Sequence, residues 1–436
     1  MPHGFIHRFF GLQSIHAARP TLETAESCQK IPHSLVAGEF PRGFGLAGVQ
    51  VAAISVRHPV SFTVLATDPS SSARRGELAL PHGTVATPMF MPVGTQGSVK
   101  TLHPAELEEL GAQIILGNTY HLWLRPGHEL IRGMGGLHDF TTWQKPMLTD
   151  SGGFQVWSLA KLRKITEEGV RFHNHLDGSK MLLTPELSMD IQAALGADIA
   201  MLFDECPPYP CDEAYAAKSL GLTSRWARRC KDWIETHQPR SGDGRQRHFG
   251  IVQGSVYAEL REQSARELVE LDFDGYAIGG VSVGEPEHEM FRAIDNAVPF
   301  LPCDKPRYAM GLGTPPQILE MIGRGVDLFD CVMPTRVARH GVAFTLDGPL
   351  HIKNLIHAQD PRPLCESAHP HVARFSRAYL RHLFRAGEIL ALRLLSFHNL
   401  HFFLRLVADS REAISAGSFP TFKDHFIQRY TQPPLP

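Results

Sequence analysis

Short, largely apolar segments recur along the chain, and each ends in Gly or Asp, mostly before a stretch with helical character. These eight segments are Met89–Gly94, Ile114–Gly117, Met147–Asp150, Ile199–Asp204, Phe249–Gly254, Tyr276–Gly280, Tyr308–Gly311 and Val326–Asp330. Helix signals lie between them: Thr184 and Pro185 begin a helix that Gly196 closes, and others cover Pro104–Leu110, Tyr257–Leu268 and Pro316–Ile322. The alternation predicts repeated strand–helix units with parallel strands.

The apolar character of these segments is mostly continuous rather than alternating, as expected for strands buried on both faces of a closed parallel barrel. We therefore predict an α/β fold, a (β/α)8 TIM barrel over residues 61–355. The rhythm stops after Leu355, and a helix-rich stretch dense in Arg and His follows. We predict a separate helical C-terminal subdomain over residues 356–436.

Residues 1–60 contain Arg8 and Arg19 and few acidic residues, but no compact apolar block that ends in a cleavage site. This pattern favours a poorly ordered N-terminal extension over a targeting signal. The longest uncharged stretch, Leu78–Val99, is broken by prolines and glycines, so we expect no membrane span. Seven cysteines without paired spacing predict reduced thiols and a cytoplasmic location.

Polar residues at or near the ends of the predicted strands are the candidates for chemistry, since active sites of such barrels lie at the carboxyl ends of the strands. Asp150 and Asp330 form a pair of acids that can divide nucleophilic and acid–base roles at an anomeric carbon. Asp204, Gln253 and the backbone at Gly280 suit the edge of a purine, although either side chain alone also suits a strand-end cap.

Two further segments lie near these acids. Ser151, Gly152 and Gly153 allow close backbone approach to a ligand, and Phe154 offers a face for a planar ring. The run from Thr335 to His340 holds Arg336 and Arg339, which suit either a phosphate backbone or a solvated surface. Because the net charge is only −2, any polyanion site has to be a local patch of this kind.

The motifs together resemble those of the tRNA-guanine transglycosylase (queuine tRNA-ribosyltransferase) family, of the bacterial type. The resemblance spans about Ser61–Phe403 and rests on residues 91–96 (MPVGTQ), 116–122 (LGNTYHL), 150–155 (DSGGFQ), 203–206 (FDEC), 252–254 (VQG), 279–285 (GGVSVGE) and 329–336 (FDCVMPTR). It implies an enzyme, a pentosyltransferase of queuosine biosynthesis that replaces guanine at wobble position 34 of tRNAs with a GUN anticodon.

The resemblance also implies roles for matched residues. Asp330 would be the nucleophile that forms a covalent aspartyl–ribose intermediate, and Asp150 the proton acceptor for the incoming base. The base pocket would comprise Asp150, Ser151, Gly152, Gly153, Phe154, Asp204, Gln253 and Gly280. The tRNA contacts would come from Gly311, Leu312, Gly313, Thr314, Pro315, Pro316 and Gln317, and from Thr335, Arg336, Val337, Ala338 and Arg339.

In this family, bacterial members use the deazaguanine preQ1 and eukaryotic members use queuine. Cys206 and Val283 match the bacterial pocket, so the resemblance implies exchange of guanine for preQ1. Members are commonly homodimers, which makes a homodimer the expected assembly.

The chain departs from the family at the metal site, a Cys-x-Cys-x2-Cys pattern followed by His. Ser367, His369 and Val372 occupy the three cysteine positions, and only His398 matches directly. Either Cys365, His369, His371 and His398 form a shifted zinc site, or the metal is lost; the spacing favours loss. His340 also replaces the usual Asn.

Two other functions remain open. The altered metal motif is compatible with a non-catalytic tRNA-binding paralogue or partner subunit. The acid pair also suits a carbohydrate hydrolase, but no sugar-stacking aromatic cleft is evident in the sequence.

Overall fold

Nine parallel strand segments form the central sheet of the computed structural model, which describes residues 62–159, 163–238 and 245–432. In chain order they are β4 (Met89–Met91), β5 (Val93–Gly94), β6 (Ile115–Gly117), β7 (Met147–Thr149), β11 (Ile199–Met201), β12 (Arg247–Val252), β13 (Gly275–Ile278), β14 (Arg307–Ala309) and β15 (Leu328–Asp330). Their order in the sheet is β4-β15-β14-β13-β12-β11-β7-β6-β5.

Pro92 separates β4 from β5, so these two segments are one interrupted strand. β4 pairs with β15 and β5 pairs with β6, both in parallel, and this double pairing closes the ring. When β4 and β5 are counted as one strand, the nine segments form eight strands. The predicted (β/α)8 barrel is therefore confirmed. Nearly all of the strand residues are buried, as the continuous apolar runs predicted.

Helices alternate with the strands around the barrel. They are α1 (Pro104–Glu109), α2 (Thr119–Leu124), α3 (His128–Gly133), α4 (Gly136–Thr141), α5 (Gly153–Leu159), α6 (Pro185–Leu195), α7 (Glu213–His237), α8 (Ala258–Glu270), α9 (Glu287–Asp295), α10 (Pro315–Gly323) and α11 (Met333–Ala338). The predicted caps of α6 are present: Thr184 accepts a hydrogen bond from Leu187 N, and Gly196 is left-handed with φ 71°.

Three small antiparallel sheets decorate the barrel. Strands β1 (Phe62–Thr67), β2 (Arg74–Leu80) and β3 (Gly83–Thr87) form the first, and β8 (Arg163–Ile165), β9 (Val170–His173) and β10 (Lys180–Leu183) form the second. The third is the hairpin β16 (Val342–Thr345) and β17 (Gly348–His351).

The C-terminal region is helical, as predicted, with α12 (Pro370–Ala373), α13 (Arg377–Ala386), α14 (Ile389–Ser415) and α15 (Phe419–Thr431). α14 packs on β4, α11 and β16. Asn399 of α14 is fully buried and bonds the main chain of Phe344, Pro334 and Val342 at 2.9 to 3.0 Å. This helix therefore braces the segment that follows β15.

α14 is also long and apolar enough to cross a membrane, but 67% of its most apolar window is buried within the protein, as in a core helix. All described residues belong to one compact unit. The extension predicted over residues 1–60 lies outside the described residues, and the boundary between residues 355 and 356 stays a prediction.

Candidate active site

A cavity of about 430 Å³ opens at the carboxyl ends of the barrel strands. β15 ends at Asp330, and Asp150 follows β7 directly. The predicted catalytic and base-binding residues that line this cavity are Asp150, Ser151, Phe154, Asp204, Gln253, Gly280 and Asp330. Residues that are far apart in the sequence thus meet at one site, as expected for strand ends of a barrel.

One oxygen of Asp330 is held by two hydrogen bonds. Tyr308 Oη donates to Oδ1 at 2.6 Å, and Gly311 N donates to the same oxygen at 2.7 Å. Among the described residues no group donates to Oδ2, so this oxygen of a cavity-lining residue has no competing hydrogen bond. Burial raises the pKa of Asp330, although the bonds from Tyr308 and Gly311 act to lower it.

Asp150 lies in a denser set of donors. Thr119 N donates to Oδ1 at 2.8 Å, while Gln155 Nε2, at 2.8 Å, and Asn118 Nδ2 donate to Oδ2. Burial nevertheless raises the pKa of Asp150 to about 6, since these bonds offset only part of the desolvation and the nearby Asp330 charge adds to the rise. A carboxyl group with this pKa is suited to proton transfer near neutral pH.

Asp204 is the third carboxylate of the cavity. It accepts hydrogen bonds from Ser151 Oγ at 3.1 Å and from Gln253 Nε2 at 2.7 Å. Burial raises its pKa to about 6, although both bonds act to lower it. Gln253 Oε1 is buried and has no hydrogen-bond partner among the described residues. This oxygen and the remaining lone pairs of the Asp204 carboxylate are acceptors suited to the N–H groups on a purine edge.

Glycines allow this close packing. A Cβ at Gly280, whose φ is +61°, would lie 2.5 Å from Gln253 Oε1, and a Cβ at Gly153 would lie 2.8 Å from the Asp204 carbonyl oxygen. Gly152 has a φ of +80°. Gly152 and Gly153 are not part of the cavity lining. Phe154 is 42% exposed and lines the cavity, so its ring is available for stacking.

The predicted tRNA-contact residues differ in accessibility. Gly311, Gly313, Gln317 and Arg336 line the cavity. Val337, Arg339, Thr314 and Pro316 are partly exposed, whereas the side chains of Leu312, Pro315, Thr335 and Ala338 are buried and form the base of these segments. Thr314 caps α10 and accepts from Gln317 N, while Arg339 Nη1 donates to Thr335 O at 2.9 Å.

Our interpretation of the sequence assigned no role to Tyr308, Asn118, Thr119 and Gln155, which hold the two acids. Asn118, Thr119 and Gln155 do lie in the motifs quoted above, and Tyr308 begins a predicted strand. Cys206 and Val283, expected in the pocket, line the cavity. His340 is exposed and bonds Arg336 O through Nδ1 at 2.7 Å.

The four candidate metal ligands fall into two groups. Cys365 Sγ lies 4.0 Å from His398 Nε2. His369 and His371 instead face Glu109 at the end of α1, each with a ring nitrogen 3.6 Å from Oε1. These three side chains form one of the groups of possible ligands among the described residues, and it includes neither Cys365 nor His398.

His398 alone keeps the arrangement of a metal-bound histidine. Its Nε2 is 2.7 Å from the Phe344 carbonyl oxygen, and its buried Nδ1 has no hydrogen-bond partner in the part of the chain that the structure describes. At two family cysteine positions, however, stand Ser367 and the buried, donor-free Val372. The residues present therefore do not fit a site of three cysteines and one histidine.

Comparison with known proteins places this geometry in context. Residues 68–432 match the profile of the family described as Queuine tRNA-ribosyltransferase. The chain is 54% identical over 372 residues to a protein of that name from Pelotomaculum thermopropionicum, covering 85% of this chain and 99% of the relative. Two relatives of the same name, from Symbiobacterium thermophilum and Staphylococcus aureus, are each 53% identical over 372 residues, or 85% of this chain. The match covers 92% of the Symbiobacterium protein and 97% of the Staphylococcus protein. The chain belongs to the queuine tRNA-ribosyltransferase family, the tRNA-guanine transglycosylases of queuosine synthesis.

Proposed function

We propose that this chain exchanges guanine at position 34 of GUN-anticodon tRNAs for preQ1 by double displacement. The observation that carries the proposal is the meeting of Asp330 and Asp150 in one cavity with Asp204 and Gln253. The cavity combines a carboxylate whose second oxygen accepts no bond from the described residues, a carboxyl group suited to proton transfer, and acceptor oxygens for a purine edge.

In the first displacement, Asp330 Oδ2 attacks ribose C1′ and forms an ester bond as the C1′–N9 bond breaks. The electron pair of the broken bond goes to guanine, and the protonated form of Asp150 supplies a proton to it. Tyr308 and Gly311 hold Oδ1, which fixes the direction of Oδ2. Geometry that restricts the nucleophile in this way contributes to the rate by removing unproductive orientations.

In the second displacement, the incoming base loses its N9 proton to the ionised form of Asp150 and attacks C1′, and the Asp330 ester bond breaks. Because Asp150 has a pKa of about 6, both of its protonation states are populated near neutral pH. Two inversions at C1′ retain the β configuration.

Base selection rests on the deeper part of the cavity. The Asp204 carboxylate accepts from the N–H groups of the purine edge, the Gly280 N–H donates to its carbonyl oxygen, and Phe154 stacks on the ring. Cys206 and Val283 line the same cavity, and in the proposed complex they lie on the side of the preQ1 substituent. This supports preQ1 rather than the bulkier queuine.

The tRNA partner is bound at the cavity mouth by Gly311–Gln317 and Thr335–Arg339, where Arg336 is exposed for a phosphate contact. We further propose a cytoplasmic homodimer that does not insert into membranes. The donors of the family's zinc site are incomplete here, and the steps proposed above use only side chains and main-chain groups of this chain.

A second function, a tRNA-binding paralogue without catalysis, is favoured only by the altered metal positions Ser367 and Val372. The retained acids and base-pocket residues argue for catalysis. Turnover by the purified chain alone would discard this alternative.

The test is capture of the covalent intermediate. The chain is mixed with GUN-anticodon tRNA, quenched in denaturant and separated by size. We expect a protein–tRNA adduct with the unmodified chain and with the control Asp304→Asn, an exposed position. Asp330→Asn should give no adduct, and an adduct that survives this change would overturn the assignment of the nucleophile.

A further inference from the structure

A fully buried arginine lies behind the wall of the cavity. Arg261 of α8 has no exposed surface and does not line the cavity. Among the described residues it forms no ion pair with a carboxylate. A guanidinium buried without a counter-ion is costly unless its donors are satisfied, so its hydrogen bonds explain why it is retained.

All of its acceptors are main-chain carbonyl oxygens at the ends of two neighbouring barrel strands. Nε donates to Ser255 O at 2.7 Å, and Nη1 donates to Val252 O at 3.1 Å and to Gly279 O at 2.7 Å. Nη2 donates to Gly280 O at 3.1 Å. Arg261 thus ties the end of β12, next to Gln253, to the end of β13, next to Gly280.

One of the two shortest bonds, to Gly279 O, reaches a peptide group of the cavity wall. Gly279 C=O and Gly280 N–H belong to the same peptide, so a cation bonded to the oxygen draws electrons from the nitrogen. A charge-assisted bond at one end of a peptide strengthens the donor at its other end, most of all where water is excluded.

The Gly280 N–H lies within hydrogen-bonding reach of a side chain that lines the cavity, the Cys206 thiol. A hydrogen bond from the Gly280 backbone acts on the Cys206 thiol, whose pKa is raised overall by burial. Cys206 and Gly280 both line the cavity. The polarised donor therefore faces the space that the base would occupy.

We propose that Arg261 is a positioning residue for base release, which strengthens the Gly280 N–H as a donor to the purine carbonyl oxygen. This rests on the proposed function. When the C1′–N9 bond breaks and the ester to Asp330 forms, the electron pair left on guanine is shared with its carbonyl oxygen. A stronger donor at that oxygen stabilises this charge, as an oxyanion hole does. Here Arg261 strengthens the donor by bonding the other end of its peptide group.

Arg307 provides a matched control at the opposite end of the barrel. Its guanidinium is also buried and donates to main-chain carbonyl oxygens, those of Leu301 at 3.0 Å and Pro302 at 3.3 Å. It does not line the cavity. Loss of the buried Arg307 guanidinium should lower the stability of the folded protein and leave the carbonyl group of bound guanine unchanged.

The experiment measures the infrared stretch of the guanine carbonyl group, with carbon-13 at that position, bound to the unmodified chain, Arg261→Lys, Arg261→Gln and Arg307→Lys. We expect a lower frequency in the unmodified complex than in water, and a return toward the value in water in both Arg261 variants. Their kcat for guanine exchange should fall about tenfold or more with little change in the KM for tRNA. Arg307→Lys should lower Tm but leave frequency and kcat unchanged.

The results distinguish a failure of the proposed transglycosylase function from a failure of the role proposed for Arg261. If the unmodified chain neither binds nor exchanges guanine, the proposed function fails. If it does both but folded Arg261 variants show its frequency and kcat, the role of Arg261 is contradicted. If neither Arg261 variant folds, the test rests on the complex of guanine with the unmodified chain. A carbonyl stretching frequency in that complex no lower than the frequency of guanine in water contradicts a strengthened donor.

Discussion

Tyr308 donates a 2.6 Å hydrogen bond to Oδ1 of Asp330, from a neighbouring strand of the barrel. Tyr308 is buried, and Asp330 is partly buried at the wall of the cavity. Burial and the Asp330 charge raise the pKa of Tyr308 well above its usual value, so the phenol remains a donor. The bond orients the nucleophile and favours its ionised form.

Tyr308→Phe is predicted to reduce kcat for guanine exchange by about tenfold and to move the acid limb of the pH–rate profile to higher pH. The direction follows because the Tyr308 bond lowers the pKa of Asp330, and its loss lets burial raise that pKa further. Tyr257→Phe, which loses only a bond to Cys211 O, is the control. An unchanged acid limb in a folded Tyr308→Phe protein would count against this role.

Asp204→Asn is predicted to abolish guanine binding yet raise Tm at neutral pH. Burial raises the folded-state pKa of Asp204 from 3.8 to about 6, so its ionisation destabilises the folded state as pH rises through that interval. At neutral pH, removal of the buried charge stabilises the folded state, while the loss of charge-assisted hydrogen bonds destabilises it, and the net gain should be about 1 kcal/mol. Near pH 4 the gain should be smaller, because Asp204 is then protonated in the folded state. Thermal unfolding across this pH range measures the effect.

Asp198→Asn is the contrasting variant for that experiment. Burial acts to raise the pKa of Asp198, but hydrogen bonds from His138, Met147 and His82 outweigh it and the pKa is lowered. Its carboxylate therefore stabilises the folded state above its unfolded pKa, and the contribution disappears as pH falls through the folded pKa. Asp198→Asn should lower Tm at neutral pH. If both Asn variants shifted Tm in the same direction at neutral pH, the electrostatic account would be incorrect.

Asn399→Leu is predicted to lower the free energy of unfolding by about 2–4 kcal/mol, because it leaves three buried main-chain groups of Phe344, Pro334 and Val342 without partners. Denaturant unfolding gives this value. Asn354→Leu, at an exposed position, should change it little. A neutral effect of Asn399→Leu would show that α14 does not brace the segment after β15.

Arg336→Ala is predicted to raise the KM for tRNA and to reduce the salt dependence of tRNA binding by about one ion, with unchanged affinity for free guanine. The arginine is exposed and lines the cavity, and the proposed function assigns it a phosphate contact rather than a contact with the base edge. The exposed Arg228, on α7, is the control. Equal effects of Arg336→Ala and Arg228→Ala on tRNA binding would exclude a specific contact.

Zinc content is predicted to be well below one ion per chain after preparation without added metal, because Ser367 and Val372 replace two donors. Elemental analysis measures it. Stoichiometric zinc would contradict this expectation, and Cys365→Ser and Glu109→Gln would then show which of the two groups of side chains binds it, with Glu108→Gln on α1 as the control.

The sequence allowed the barrel to be predicted because each strand is a short apolar run. It placed β12 two residues too late, since Arg247 and His248 begin this strand and are buried despite their polarity. The sheets β1–β3 and β8–β10 were not predicted, although each pairs strands that are consecutive in the sequence. Their strands alternate buried and more exposed residues, whereas the prediction followed continuous apolar runs.

The candidate acids were found because their positions at strand ends are local features of the sequence. The groups that hold them were not, since Asn118 lies 32 residues from Asp150 and Tyr308 lies 22 residues from Asp330. Their pairing depends on which strands are neighbours in the closed barrel. The same reason hid Arg261, whose acceptors come from two strands.

The most direct test of the account is exchange of labelled guanine into purified tRNA that carries a GUN anticodon, by the purified chain alone. We predict incorporation of label that depends on Asp330 and Asp150, and none into the same tRNA with adenine at position 34. No incorporation by folded, tRNA-binding protein would contradict the assignment of this chain as a transglycosylase.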